Sequence, residues 1–317
     1  GSYPKEEIHH TQLGWEHFHY LGLEHNDEVN LLKGGLYHSS KISAVSPTYA
    51  LEIQTPEGSY GLHGVLRDRK ADIHGIVNGI DYHVWNPQKD PYIAAPFDKD
   101  DLYGKELCKA DLQRTFLLQQ KPEVPIIGLV SRLAWQKGID ILAAAIDRIL
   151  QLDVQFVLLG SGETWAQLFY GDLPRRYPGQ VGSYIGFNQS LAHKIEAGAD
   201  LFVMPSRFEP CGLNQMYSQR YGTLPIARRT GGLNDTIIQF SETQDPRREK
   251  GSGFLFDNLT ANALFDTVAW AVHTYYHKEE HFARLRRNAM AQNFSWEKSS
   301  QEYIDLYHEA ILARKYK

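Results

Sequence analysis

Two cations, a carboxylate and a set of glycines stand immediately after apolar, β-branched runs in this 317-residue sequence. Ser131, Arg132 and then Lys137 follow residues 124–130. Gly160-Ser-Gly162 follows 154–159, and Phe187 follows 184–186. Pro205-Ser-Arg-Phe-Glu209-Pro-Cys-Gly212 follows 201–204, and Arg228-Arg-Thr230-Gly231-Gly232 follows 224–227. A guanidinium can fork onto phosphate oxygens, and a lysine adds a point charge beside it. Thr230-Gly231-Gly232 precedes a short helix whose free N–H groups favour a phosphate. Glu209 cannot bind phosphate, but it can accept hydrogen bonds from sugar hydroxyls, and the backbone N–H groups after Pro210 can donate to the same sugar. A diphosphate beside a carboxylate-held hexose describes a nucleotide-sugar site. Electrostatic stabilisation of the departing diphosphate would then be the main catalytic term. Taken singly, each residue also has an ordinary reading: a solvated charge, a turn glycine, or a carboxylate favoured at a helix N-terminus.

The elements that would position these residues alternate from about residue 124. Short apolar runs at 124–130, 154–159, 184–187, 201–204 and 224–227 read as strands. Between the first two, Ile139, Leu142, Ala143, Ile146, Ile149 and Leu150 share one helical face. A helix through 191–199 and another after Gly212 are also expected. Near-continuous apolar strands alternating with helices describe an α/β domain with a parallel sheet covered on both faces. Ligands of such sheets bind at the carboxyl ends of the strands, where the residues above fall. Residues 1–95 show only two strand signals, at 42–45 and 73–77, and a helix at about 47–54. Residues 86–101, with Pro87, Pro91 and Pro96, read as a linker. Asp100 or Asp101 would cap the helix that follows. Amphipathic helices are expected at 261–277 and 295–312.

Composition narrows the partners. The chain is 42% hydrophobic and 22% charged, with a net charge of −5, so no basic field points to nucleic acid or an anionic membrane surface. No stretch is long and apolar enough to span a bilayer. Cys108 and Cys211 form no metal or disulfide framework. The histidines at 9, 10, 17, 19 and 25 match no zinc spacing. Asp98-Lys-Asp100 is better explained by helix capping than by a metal. Gly160-Ser-Gly162 is no dinucleotide fingerprint, because Trp165 stands where a third glycine belongs.

Longer motifs carry a resemblance. Pro205-Ser-Arg-Phe-Glu-Pro-Cys-Gly-Leu-Asn-Gln215, Tyr221-Gly-Thr-Leu-Pro225, Arg228-Arg-Thr-Gly-Gly-Leu-Asn-Asp-Thr236 and Ser131-Arg-Leu-Ala-Trp-Gln-Lys-Gly-Ile139 resemble segments of the ADP-glucose-dependent glycogen and starch synthases. So do Val45-Ser-Pro-Thr-Tyr49, Gln54-Thr-Pro-Glu57 and Val77-Asn-Gly-Ile-Asp81. The resemblance implies an α/β fold of two Rossmann-like domains (GT-B type). It implies a partial N-terminal domain at 1–95, a linker and helix at 96–120, a C-terminal nucleotide-sugar domain at 121–292, and a helix at 293–317 returning to the N-terminal domain. It implies transfer of glucose from ADP-glucose to the non-reducing end of an α-1,4-glucan with retained configuration and no metal. By matching motif, Arg132 and Lys137 would hold the diphosphate. Glu209, with backbone at Cys211 and Gly212, would hold the glucose. Phe187 would lie against the adenine, and Thr230, Gly231 and Gly232 at the phosphates, with Gly160 on the donor side and Asn78 on the sugar or acceptor side. Tyr217 stands where many related transferases carry a second glutamate.

The family's N-terminal Lys-x-Gly-Gly-Leu loop and its Ile-His-Asn segment do not occur upstream of these motifs, so the chain is expected to be an N-terminally truncated catalytic part, inactive or unstable alone. The resemblance places it in a bacterial cytoplasm, with a plastid as second choice. A module that binds ADP or ADP-glucose without turnover is the rival reading. A transferase using UDP-glucose is a further one, since charge and spacing do not distinguish the nucleotides.

Overall fold

The computed structural model describes residues 1–315, so the last two residues of the segment expected at 293–317 lie outside it. The chain divides into two compact units. One is Gly1–Val77 with the residues of the last helix from Glu297 onward; the other is Asn78–Trp296.

The first unit is built from short elements. Strands β1 (Ser2–Pro4), β2 (Glu24–His25) and β3 (Glu28–Asn30) form an antiparallel sheet in the order β1-β3-β2. Helix α1 (Leu31–His38) starts at Asn30, whose side chain accepts from the Lys33 N–H. Strand β4 (Ile42–Ala44) pairs in parallel with β5 (Ile73–Gly75), and helices α2 (Pro47–Glu52) and α3 (His63–Asp68) lie between them in sequence. Ser46 caps α2 by accepting from Tyr49 N, and Pro47 sits at its first turn, where no N–H is needed. The guanidinium of Arg69 gathers the carbonyls of Leu36, Tyr37 and Ser39, tying α1 to the end of α3. Helix α12 (Trp296–Lys315) joins this unit through Glu309, 3.5 Å from both Lys41 and His74.

The second unit holds a six-stranded sheet. In chain order the strands are β6 (Ile126–Leu133), β7 (Gln155–Gly162), β8 (Val181–Ile185), β9 (Leu201–Met204), β10 (Leu224–Arg228) and β11 (Phe254–Phe256). Their spatial order is β11-β10-β9-β6-β7-β8, and all neighbours are parallel. The chain therefore runs outward from β6 through β7 to β8, returns to lay β9 against the other side of β6, and continues outward through β10 and β11. The order reverses between β6 and β9, which is where such sheets open a crevice at their carboxyl ends.

Both faces of this sheet are covered. Ile127, Leu129, Phe156, Leu158, Val203 and Ile226 face helices α5 (Ile139–Ile149), α6 (Thr164–Arg176), α10 (Ala261–His277) and α11 (Glu279–Met290). Ile126, Val157, Leu159, Phe202 and Ala227 face α4 (Tyr103–Thr115), α7 (Gln189–Gly198) and α9 (Gly231–Thr236). Burial on two faces explains why these strands read as continuous apolar runs. The expected stripe of α5 is buried at Ile139, Leu142, Ile146 and Ile149, with Ala143 at its margin. Asp101, and not Asp100, serves the start of α4, accepting from Tyr103 N at 3.0 Å.

The segment expected as a linker packs into the second unit. The Trp85 ring is stacked between His193, at 4.0 Å, and Tyr217, at 3.8 Å. Oδ2 of Asp90 lies 2.6 Å from Nδ1 of His193 and accepts the Tyr221 hydroxyl at 2.5 Å. The side chains of Asp90 and His193 are fully buried. The division between units accordingly falls at 77/78, where the sequence reading placed 95/96. Trp85 just before it, and Asp90, Tyr92 and Phe97 within it, dock a proline-rich stretch that has no secondary structure of its own.

Candidate active site

The reversal between β6 and β9 opens a cavity of about 190 Å³ at the carboxyl edge of the sheet. Its walls come from the ends of β6 and β9, the loop after β9 and the start of helix α8 (Asn214–Arg220). Arg132, Lys137, Glu209 and Gly212 line it together, with Ser131, Ser206 and Asn214.

The charged pair is the centre of this site. Lys137 Nζ donates to Glu209 Oε2 at 2.6 Å, and the Ser206 hydroxyl donates to the same oxygen at 3.0 Å. The Glu209 side chain is 7% exposed and that of Lys137 is 19% exposed, so the lysine faces the opening and the carboxylate lies behind it. A carboxylate held this way is compensated but keeps lone pairs for further donors. Arg132 is exposed at the end of β6, and its Nη2 donates to Gln136 Oε1 at 3.1 Å. Gln136 in turn donates to Phe208 O at 3.3 Å and accepts Arg207 N on its backbone at 2.9 Å. Arg207 makes a two-pronged pair with Asp140 at 2.7 Å and lies over the Trp135 ring. These contacts stitch the loop after β6 to the loop after β9, which fixes Lys137 opposite Glu209.

Strand β6 runs three residues further than the apolar run indicated, so Ser131 and Arg132 lie inside it, opposite Gly160 and Ser161 of β7. A Cβ on Gly160 would stand 2.2 Å from Ser131 O. Gly160 therefore permits close strand pairing at the base of the site and is not among the cavity-lining residues. Gly138 is also required on steric grounds: its φ is +65°, and a Cβ would meet Pro205 O at 1.9 Å.

The remaining candidates surround the cavity. Gly231 has φ +43°, and its Cβ position lies 2.0 Å from Glu209 O; that of Gly232 lies 2.0 Å from Cys211 O. The Gly232 N–H donates to Glu209 O at 3.0 Å. The Thr230–Gly232 turn thus braces the Glu209 loop from behind, and Thr230 is buried. Burial pushes the Cys211 thiol up to about 11, against the effect of a backbone hydrogen bond from Asn78. That bond brings Asn78 to the same loop. Phe187 is 90% exposed just beyond β8. The sequence reading gave no role to Ser206, Gln136 or Asn214. Ser206 carried one usable signal, a small hydroxyl three residues before a carboxylate at a strand end. Gln136 and Asn214 carried none, since their partners lie about seventy or more residues away.

Residues 1–68 match the starch synthase catalytic domain model, and residues 115–292 match the model of glycosyl transferases group 1. A glycogen synthase 1 of Geobacter metallireducens is 57% identical over 302 residues, covering 95% of this chain and 59% of that protein. A glycogen synthase of Anaeromyxobacter dehalogenans is 47% identical, covering 97% of this chain and 63% of that protein. The chain thus spans about three fifths of the length of the curated relatives it matches. The catalytic domain of starch synthase IV from Arabidopsis thaliana, solved with ADP and acarbose, superposes with a TM-score of 0.90 at 35% identity, covering 98% of this chain and 64% of that one. A sucrose-phosphate synthase from Thermosynechococcus elongatus, at 20% identity and a TM-score of 0.57, shares the fold. The fold class is the α/β, GT-B type expected from the motifs. With more than half of its residues matched by one family model, and with the cations and carboxylate of its site gathered at the sheet reversal, the chain belongs to the glycosyl transferases group 1 family.

Proposed function

We propose that this chain carries the donor-binding half of a retaining glucosyltransferase that moves glucose from ADP-glucose to the non-reducing end of an α-1,4-glucan. The observation that carries the reading is the Lys137–Glu209 pair in the cavity at the sheet reversal, with Arg132 beside it. Relatives named glycogen synthase and a neighbour solved with ADP and acarbose support the same donor and acceptor. In this reading Arg132 and Lys137 hold the diphosphate and stabilise the charge that grows on it as the glucosyl C1–oxygen bond breaks. Glu209 accepts hydrogen bonds from the glucose hydroxyls, and the N–H groups at Cys211 and Gly212 donate to the same sugar. The acceptor 4-hydroxyl attacks C1 on the face the diphosphate leaves. Arg132 and Lys137 supply the positive charge, so the reaction is assigned no metal. Phe187 stacks on the adenine, Thr230, Gly231 and Gly232 flank the phosphates, and Asn78 reaches the sugar side.

No described helix is long and apolar enough to cross a membrane. Glucan synthesis in a bacterial cytoplasm fits this and the bacterial origin of the relatives. The test is glucose incorporation into glycogen from ADP-glucose and from UDP-glucose in parallel. Incorporation from ADP-glucose alone supports the assignment, and incorporation from UDP-glucose alone overturns the donor. A second reading rests on the chain spanning about three fifths of its relatives: it binds ADP without turning anything over. Calorimetric ADP binding with no incorporation from either donor would favour that reading.

A further inference from the structure

A second and larger cavity, about 580 Å³, lies at the opposite, amino edge of the six-stranded sheet. It is set among α4, the segment after it, the residues just before β9, α10 and α11. Its floor is Asp200, which precedes β9 and accepts the Ile126 N–H at the start of β6 at 2.9 Å. Lys109 Nζ lies 2.9 Å from Asp200 Oδ2, and Arg286 Nη2 donates to Oδ1. Lys105 also lines the cavity but has neutral partners, Ala197 O at 2.9 Å and Thr223 Oγ1 at 2.8 Å.

The charges do not balance. Glu196 is near Lys105, but burial raises its carboxyl well above the usual range and favours the neutral acid. Three basic side chains therefore face one committed carboxylate, a surplus of positive charge that is complete only when Lys105 is protonated. Lys105 and Lys109 are 4% and 6% exposed, and the Arg286 Nε is buried with no partner among the described residues. Burial, and then the neighbouring Arg286, push Lys105 down to about 7, which a bound anion would reverse. The exposed carboxylates at the rim, Glu106 and Glu123, are free to stay solvated. A cluster that served only to anchor α4 and α11 to the sheet would need neither the surplus of positive charge nor the open volume. That volume lies within the range of about 300–1,000 Å³ typical of small-molecule sites.

We propose that this cavity binds a phosphate dianion, free or as a small phosphomonoester, at a site separate from the Glu209 cavity. The dianion matches the surplus that Lys105, Lys109 and Arg286 carry over Asp200 once Lys105 has taken up its proton, and an arginine with lysines is the donor set phosphate oxygens favour.

The test is calorimetric titration of the whole chain carrying Arg132→Ala and Lys137→Ala, so that the first cavity is disabled. Inorganic phosphate and ribose 5-phosphate are the two probes, and saturable binding of either is expected. Tighter binding of ribose 5-phosphate identifies the phosphomonoester as the occupant, and tighter binding of phosphate identifies the free ion. Adding Lys109→Gln should weaken binding at least about tenfold, and adding Glu106→Gln should tighten it about two- to fivefold by removing a rim charge. No saturable heat at millimolar concentrations of either probe overturns the proposal. So does binding that Lys109→Gln leaves unchanged. Should Lys109→Gln unfold the chain by orphaning Asp200, the exposed Glu106→Gln variant decides alone, and unaltered affinity there overturns the site.

Discussion

Glu209→Gln should tighten ADP binding while abolishing most turnover, and these opposite signs make it the most searching test of the site. Lys137 is neutralised in this geometry by a carboxylate 2.6 Å away. A phosphate oxygen approaching the exposed side of Lys137 would stand about 6 Å from the Glu209 carboxylate. At an effective dielectric of about 40, suited to a cavity open to water, that repulsion is worth about 1.4 kcal/mol, or about tenfold in Kd. Glutamine keeps the shape and the acceptor for Ser206 but removes the charge. Titration of ADP into the wild-type and Glu209→Gln chains should therefore show a Kd about tenfold lower in the variant. Under the proposed function, glucose transfer from ADP-glucose should fall by about two orders of magnitude or more, because a neutral amide oxygen accepts more weakly than a carboxylate from hydroxyls whose contacts would strengthen in the transition state. Raising the salt concentration should shrink the difference in ADP affinity, since the term is electrostatic. Equal or weaker ADP binding by Glu209→Gln would refute the idea that Lys137 meets the diphosphate while Glu209 opposes it.

Three further outcomes follow from the same geometry. Gly231→Ala should lower stability by about 2 kcal/mol or more and weaken ADP binding, because a Cβ there meets Glu209 O at 2.0 Å in a left-handed backbone; an unchanged urea midpoint would contradict this. Asp90→Asn should cost about 2–4 kcal/mol at pH 7, because it weakens the buried contacts to His193 and Tyr221. Against the effect of burial, hydrogen bonds from His193, Tyr221 and the Tyr92 N–H hold the Asp90 carboxyl below the usual range. Its stabilisation is therefore fully present above the unfolded pKa of about 4 and fades as pH falls through the lower folded value, so the gap between the two proteins in urea unfolding should narrow below about pH 4. Cys211, with its thiol raised to about 11, should react slowly with iodoacetamide at pH 8; labelling of Cys211 within minutes in the folded chain would show that the loop opens far more than this packing allows.

Much of the second unit was legible in the sequence because its strands are buried on both faces. Burial of that kind writes itself as unbroken apolar runs, and the residues after those runs then fall at one edge by the geometry of parallel sheets. Arg132, Lys137 and Glu209 were found in this way. The strand β11 and the antiparallel sheet of the first unit, whose strands have two or three residues each, are not among the expected elements. Helix α6 escaped because Gly171 and Pro174 lie inside it and blur its apolar stripe.

The sequence by itself determined which side chains stand at the strand ends and which chemistry their types allow, because period and position along a strand are local properties. Only the tertiary structure decided that Lys137 meets Glu209 across 72 residues, that Asp90 meets His193 across 103, and that Gly231 and Gly232 brace the Glu209 loop rather than stand free. The first of those pairings depends on β9 lying directly beside β6, and sheet order is set by the summed packing of two helical layers, which no window of the sequence contains.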